Sequence, residues 1–154
     1  MPLTVEREPV TGYGARSLYL AALDELARRY ERTTLREALE EYEPPGGLFV
    51  VARDDGALVG GAGVRSIGDP DDALGEVKRL WVRPDRRRHG VATRLMAAVE
   101  DCARDAGLAR LYLETGPRQP EAIAFYRREG WVEVAAYPEG ATPHPNSLLF
   151  TKPL

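Results

Sequence analysis

Between Arg79 and Gly90 the sequence RLWVRPDRRRHG gathers five arginines and one histidine ahead of a helix-forming stretch, in a chain of formal net charge -3. The first turn of a helix leaves backbone N–H groups without intrahelical acceptors, and the helix dipole adds partial positive charge there. A phosphate fits that combination. Gly90 removes a side chain where the backbone would meet such a ligand, and Ala92 and Thr93 keep the next turn small. Arg86, Arg87 and Arg88 add charge-assisted donors without competing for the backbone. The competing readings are a solvated basic turn and a nucleic-acid contact. No aromatic interleaving accompanies the arginines and the rest of the chain is acidic, so nucleic acid is set aside. The Walker pattern is missing, and GGAGVRS at 60–66 lacks the third glycine of a dinucleotide motif and opens no helix.

The elements that must position this loop are legible from periodicity. LTVERE alternates as a strand, and residues 15–30 repeat Leu18, Ala22, Leu26 and Tyr30 at the spacing of one helix face. A shorter helix is predicted from Thr34 to Glu41, stopped by EPPGG. LFVVAR, ALVGGAGVRSI and LGEVKRLWV read as strands, the first two joined by a tight DDG hairpin. A long helix follows from Gly90 to Ala106, with Val91, Leu95, Ala98, Val99, Cys102 and Ala106 on one side and Gly107 as its stop. ARLYLET is a strand, EAIAFYRRE a helix closed by Gly130, and WVEVAA and NSLLFTK the last strands. The order β-α-α-β-β-β-α-β-α-β-β describes a mixed α/β sheet, not a repeated βαβ wind. One parity clash stands out. Val77 and Trp81 share one parity in LGEVKRLWV and Leu80 and Val82 the other, which predicts a bulge near Lys78–Arg79.

Composition narrows the class. The 154 residues are 44% hydrophobic and 29% charged, which suits one soluble globular domain spanning 1–154. Cys102 is the single cysteine, which excludes an internal disulfide and a cysteine-ligated metal centre, and its apolar neighbours read as packing. His89 and His144 alone do not make a zinc site, so no metal is expected. No apolar run is long enough for a bilayer, and MPLTVEREPV lacks the pattern of a signal peptide, so a cytoplasmic location is expected. Nineteen arginines among 21 basic residues suggest a GC-rich bacterial genome.

The stretch Arg87-Arg88-His89-Gly90-Val91-Ala92 resembles the Arg/Gln-x-x-Gly-x-Gly/Ala signature of the GCN5-related N-acetyltransferase (GNAT) superfamily. EAIAFYRREGW is similar to that family's second hallmark, and the element order agrees over nearly the whole chain. The resemblance implies the acyl-CoA N-acyltransferase fold and acetyl-CoA as co-substrate. Its pyrophosphate would lie on the amides of Arg87, Arg88, His89, Gly90, Val91, Ala92 and Thr93, and its pantetheine would add like a strand along Leu80, Trp81 and Val82. The Leu80 N–H would meet the acetyl oxygen. Tyr126 matches the family tyrosine that hydrogen-bonds the CoA sulfur and acts as general acid. Glu76 matches the strand position of the family's base, with Glu114 on a neighbouring strand as its rival. Gln119, followed by Pro120, stands where the family has a CoA-contacting asparagine, and its longer side chain departs from that pattern.

What the resemblance implies is an N-acetyltransferase working by direct attack on a primary amine, with a small-molecule acceptor favoured. A protein or peptide acceptor, or a CoA-binding module without turnover, remains open. Tyr13, Arg16, Tyr19 and the 30s segment are expected beside the acceptor. Neither nucleic acid nor a membrane is an expected partner. Monomer and homodimer fit equally, with NSLLFTKPL as a candidate pairing edge.

Overall fold

Asp55 and Gly56 take positive φ values of 51° and 82°, the backbone of a two-residue turn whose twist suits paired strands. They join β2 (Gly47–Asp54) to β3 (Ala57–Ile67), as the DDG signal predicts. The structure is a computed structural model describing residues 3–30 and 38–154. Its other elements are β1 (Leu3–Arg7), α1 (Tyr13–Arg29), β4 (Leu74–Val82), α2 (Val91–Asp105), β5 (Arg110–Thr115), α3 (Pro120–Arg128), β6 (Val132–Val134) and β7 (Leu148–Pro153). The start of the helix expected from Thr34 lies outside the described residues. Within them, Leu39–Tyr42 forms one 3-10 turn.

The seven strands form one mixed sheet in the order β1-β2-β3-β4-β5-β7-β6. Neighbours pair antiparallel except β4 and β5, which run parallel with α2 as their crossover. β7 lies between β5 and β6, so the C-terminal strand is not the pairing edge expected from sequence. The short β6 takes that place.

Two apolar clusters sandwich the sheet. The larger packs Leu95, Met96 and Val99 of α2 against Val50, Val64, Leu111 and Leu113. Each fully buried side chain of this size contributes about 1.5–3 kcal/mol. The smaller packs Leu18, Tyr19 and Leu23 of α1 against Phe49 and Val51. Gly63 makes that second layer close: a Cβ there would sit 2.6 Å from the Tyr42 ring. The stripe expected on α1 holds only in part. Leu18 and Ala22 are buried, whereas Leu26 and Tyr30 are half-buried beside a cavity. None of the described helices is long and apolar enough to cross a membrane.

Candidate active site

The sheet opens at its centre. β4 and β5 pair only through Leu74↔Arg110, Gly75↔Leu111 and Glu76↔Tyr112, and beyond Glu76 the ladder stops. β4 remains on β3 as far as Val82, and β5 remains on β7 as far as Thr115, so the strands fork. The bulge expected near Lys78–Arg79 lies in the upper fork. Gly63 pairs with Lys78 and Gly61 with Trp81, so Ala62 opposes both Arg79 and Leu80. Arg79 takes φ 60°, in the left-handed region. The extra residue resolves the parity clash: Val77, Leu80 and Val82 all pack with the larger cluster, while Trp81 turns to the smaller one.

The fork holds a cavity of about 860 Å³. Val77 to Trp81 form one wall, Glu114 to Gln119 the opposite one, and the 142–147 loop closes a third side. Tyr30 roofs it from the end of α1. Its hydroxyl lies so close over Gly116 that any side chain there would collide, and it accepts the Arg118 N–H at 3.4 Å. The acceptor-side residues expected from sequence are placed differently. Tyr13 is 85% exposed and Arg16 is exposed, Tyr19 is buried in the smaller core, and the far end of α1 (Ala22, Glu25, Leu26, Arg29) reaches the cavity instead. Residues 31–37 lie outside the described residues.

Tyr126 lines the cavity from the α2 side of the sheet, edge-on to Trp131 and tilted against Phe150. Burial pushes its phenol well above the ordinary tyrosine range, so it keeps its proton at neutral pH. Thr115 Oγ1, also on the wall, is buried without a hydrogen-bond partner among the described residues. Gln119 caps α3, its carbonyl accepting the N–H groups of Ala122 and Ile123, and it too borders the cavity.

The two candidate carboxylates share the α1 side but not the cavity. Glu76 is 1% exposed, and one oxygen accepts from Arg65 Nε at 2.9 Å and the other from Tyr137 Oη at 2.7 Å. It does not border the cavity. Glu114 does, accepting from Ser147 Oγ at 2.7 Å and the His144 N–H at 3.0 Å, with Lys78 Nζ 3.9 Å away. Burial lowers the Lys78 pKa, and Glu76 and Glu114 oppose that shift. Arg65 and Tyr137 were missed in the sequence. Arg65 was findable, because the β3–β4 register runs Ile67↔Leu74 to Arg65↔Glu76 from a loop already recognised. Tyr137, 61 residues from Glu76, carries no local signal.

At the outer end of the fork the arginine loop leads into α2. Gly90 adopts φ 83°, and the first helical bond runs from Arg94 N–H to the Gly90 carbonyl. The amides of Val91, Ala92 and Thr93 therefore have no intrahelical acceptor. Arg88 and His89 are exposed beside them. The other arginines are engaged elsewhere. Arg83 pairs with Asp85, Arg86 with Asp54, and Arg87 donates to Glu25 at 2.7 Å and to the Val82 carbonyl at 2.8 Å. Glu25 also accepts from Trp81 Nε1 at 3.3 Å, which ties α1, β4 and the loop together. Among the described residues no His, Cys, Asp or Glu cluster suited to a metal is present.

Comparison with known proteins gives this architecture its family. The model of the acetyltransferase (GNAT) family matches residues 15–131. The IAA acetyltransferase of Azospirillum brasilense is 42% identical over 117 residues, which are 75% of this chain and 74% of that protein. A GNAT-family acetyltransferase of Staphylococcus aureus shares the fold at a TM-score of 0.80 and 17% identity, over 99% of both chains. The PaiA N-acetyltransferase of Thermoplasma acidophilum, solved in complex with coenzyme A, does so at a TM-score of 0.72 and 14% identity, over 100% of both. With the family model matching most of its length and a relative this similar, the chain belongs to the acetyltransferase (GNAT) family and is an acetyltransferase.

Proposed function

We propose that the chain transfers the acetyl group of acetyl-CoA directly to a primary amine of a small molecule. The observation that carries this reading is the parallel ladder that stops at Glu76↔Tyr112 and opens into a cavity with a carboxylate on one side and a buried tyrosine on the other. Unpaired strand edges in the fork suit the amides of pantetheine, and the α2 amides with Gly90 suit its pyrophosphate. Since Arg83, Arg86 and Arg87 already have partners, the phosphate contacts fall mainly to the amides of residues 88–93 and to Arg88.

An alkylamine of pKa ~10.4 is neutral in only about one part in 2,500 at pH 7, so a proton acceptor is needed. The cavity position of Glu114 favours it for that role. Glu76, with both oxygens engaged, then orients Arg65 and Tyr137. The neutral nitrogen attacks the thioester carbon, and the developing oxyanion meets the Leu80 N–H, which lies in the bulge and past the end of the β4–β5 ladder. The C–S bond breaks, the departing sulfur takes the Tyr126 proton, and the second nitrogen proton goes to Glu114 once it has released the ammonium proton to solvent, from which Tyr126 is reprotonated. The products are an N-acetyl amide and free CoA thiol. A cavity roofed by Tyr30 and closed by the 142–147 loop supports a small acceptor over a polypeptide.

Calorimetric titration with acetyl-CoA tests the cofactor. Micromolar binding that Gly90→Glu abolishes is expected, and no binding at millimolar acetyl-CoA would sink the reading. Tyr126→Phe is expected to slow thiol release about 100-fold while acetyl-CoA affinity changes only a few fold.

A further inference from the structure

The cations on the cavity wall differ in one respect. Arg65 is paired with Glu41 and Glu76, Lys78 with Glu114, and Arg29 with Glu25 and Glu121. Arg79 has no carboxylate or hydrogen-bond partner among the described residues, and its Nε is buried. Its guanidinium lies over the Tyr19 ring, 5.6 Å from the centroid. That ring is itself fixed, because its hydroxyl accepts the Ala38 N–H at 2.9 Å.

The backbone beneath makes the arrangement costly. An L-residue in the left-handed region costs about 1–2 kcal/mol, and glycine would form the same bulge without that strain. What the arginine adds is a half-buried cation, its Nε shielded from water, on the side of the fork that carries Glu114 and Lys78. Stacking on an aromatic face leaves the guanidinium edge available, and that edge matches two carboxylate oxygens. A buried donor without an acceptor carries a desolvation cost that an anionic ligand relieves.

We infer that the acetyl acceptor is an amine bearing a carboxylate, an amino acid in the broad sense, whose carboxylate docks on Arg79 while its nitrogen faces Glu114 and the thioester. This deepens, and rests on, the transferase reading. The carboxylate also explains how a cavity of about 860 Å³ orients so small a molecule: one end is held by charge, leaving the nitrogen to be positioned by the length of the linker.

The test is thiol release from acetyl-CoA with glycine, β-alanine, γ-aminobutyrate and the standard L-amino acids, each beside its carboxamide. At least one acid is expected to have a KM about tenfold or more below that of its amide, and Arg79→Met is expected to bring the two within about twofold. The acid–amide comparison in the unmodified protein needs no variant, so a misfolded Arg79→Met leaves it readable, and Arg79→Gln then serves as the second variant. Equal KM values for acid and amide, or a preference that survives in the variants, overturn the inference. So does acetyl-CoA binding with transfer to neither series. If acetyl-CoA itself does not bind, the transferase reading fails separately. Calorimetric titration with the amino acids alone then decides the anion site: binding lost in Arg79→Met upholds it, and no binding overturns it.

Discussion

The two faces of β4 and β5 are built from interleaved residues of the same strands and have opposite chemistry. Toward α2 stand Val77, Leu80, Val82, Leu111 and Leu113, packed with Tyr126, Trp131 and Phe150. Toward α1 stand Glu76, Lys78 and Glu114, held by ion pairs and hydrogen bonds, and Arg79, which lies over the Tyr19 ring. The apolar face is where the fold stores its stability, because area removed from water is non-directional and additive. The charged face gains less from its partly buried pairs but fixes the direction of the donors and acceptors around Glu76 and Glu114. The two faces meet at the fork, which Tyr126 borders from the α2 side.

Breaking the apolar face gives the largest effect. Leu113, 1% exposed, does not border the cavity, and Leu113→Ala is expected to cost about 2–5 kcal/mol in urea unfolding with little change in the KM for acetyl-CoA. A comparable loss of KM would mean that the two faces are not separable.

On the charged face the effects are expected in rate. Glu114→Gln should lower kcat/KM about tenfold or more near neutral pH and move the acidic limb of the rate profile upward, because the acceptor must then lose its proton unaided. Glu76→Gln is expected to leave that limb in place and to reduce stability by about 1–3 kcal/mol through its buried hydrogen bonds. The opposite pattern in the two profiles would return the base role to Glu76.

The smallest effect is alkaline. Burial first, then Glu76, raises the Tyr137 pKa above that of an unfolded tyrosine, ~10. The folded form therefore keeps a proton that the unfolded form loses, and the stability it contributes below that pH is lost as pH rises further. Tyr42 and Tyr126 act in the same direction, while Lys78, its pKa lowered chiefly by burial, opposes them just below its unfolded value. Tyr137→Phe should make the fall in Tm between about pH 9 and about pH 11 shallower, by at most ~1.4 kcal/mol per pH unit. An unchanged slope would mean that Tyr137 ionises in the folded protein as readily as in the unfolded one.

Much of the fold was legible because its signals are local. The β3 and β4 boundaries follow alternation and turn residues, and the bulge was readable as a parity conflict between Val77 and Leu80. Leu26 and Tyr30 share a helix face with Leu18 and Ala22 as their spacing predicts, but they stay half-buried for a non-local reason: the fork removes the sheet from beneath them. The site was legible as a set of elements and less so as a set of partners. Nothing around Arg87 announces Glu25, 62 residues away, and nothing around Arg79 shows that, unlike Arg29, Arg65 and Lys78, it has no carboxylate partner among the described residues.

The fork also bears on solubility. Strands with unpaired N–H and C=O groups are templates for other chains, and proteins usually meet that hazard at the outer edges of a sheet. Here the bare edges lie in the middle, facing each other across a gap flanked by paired strands on both sides. A second polypeptide strand would need its own side chains to pass Tyr30 above and Tyr126 below. An edge enclosed in this way is shielded from other chains by its place in the sheet, and it remains open to a slender ligand with amides of its own.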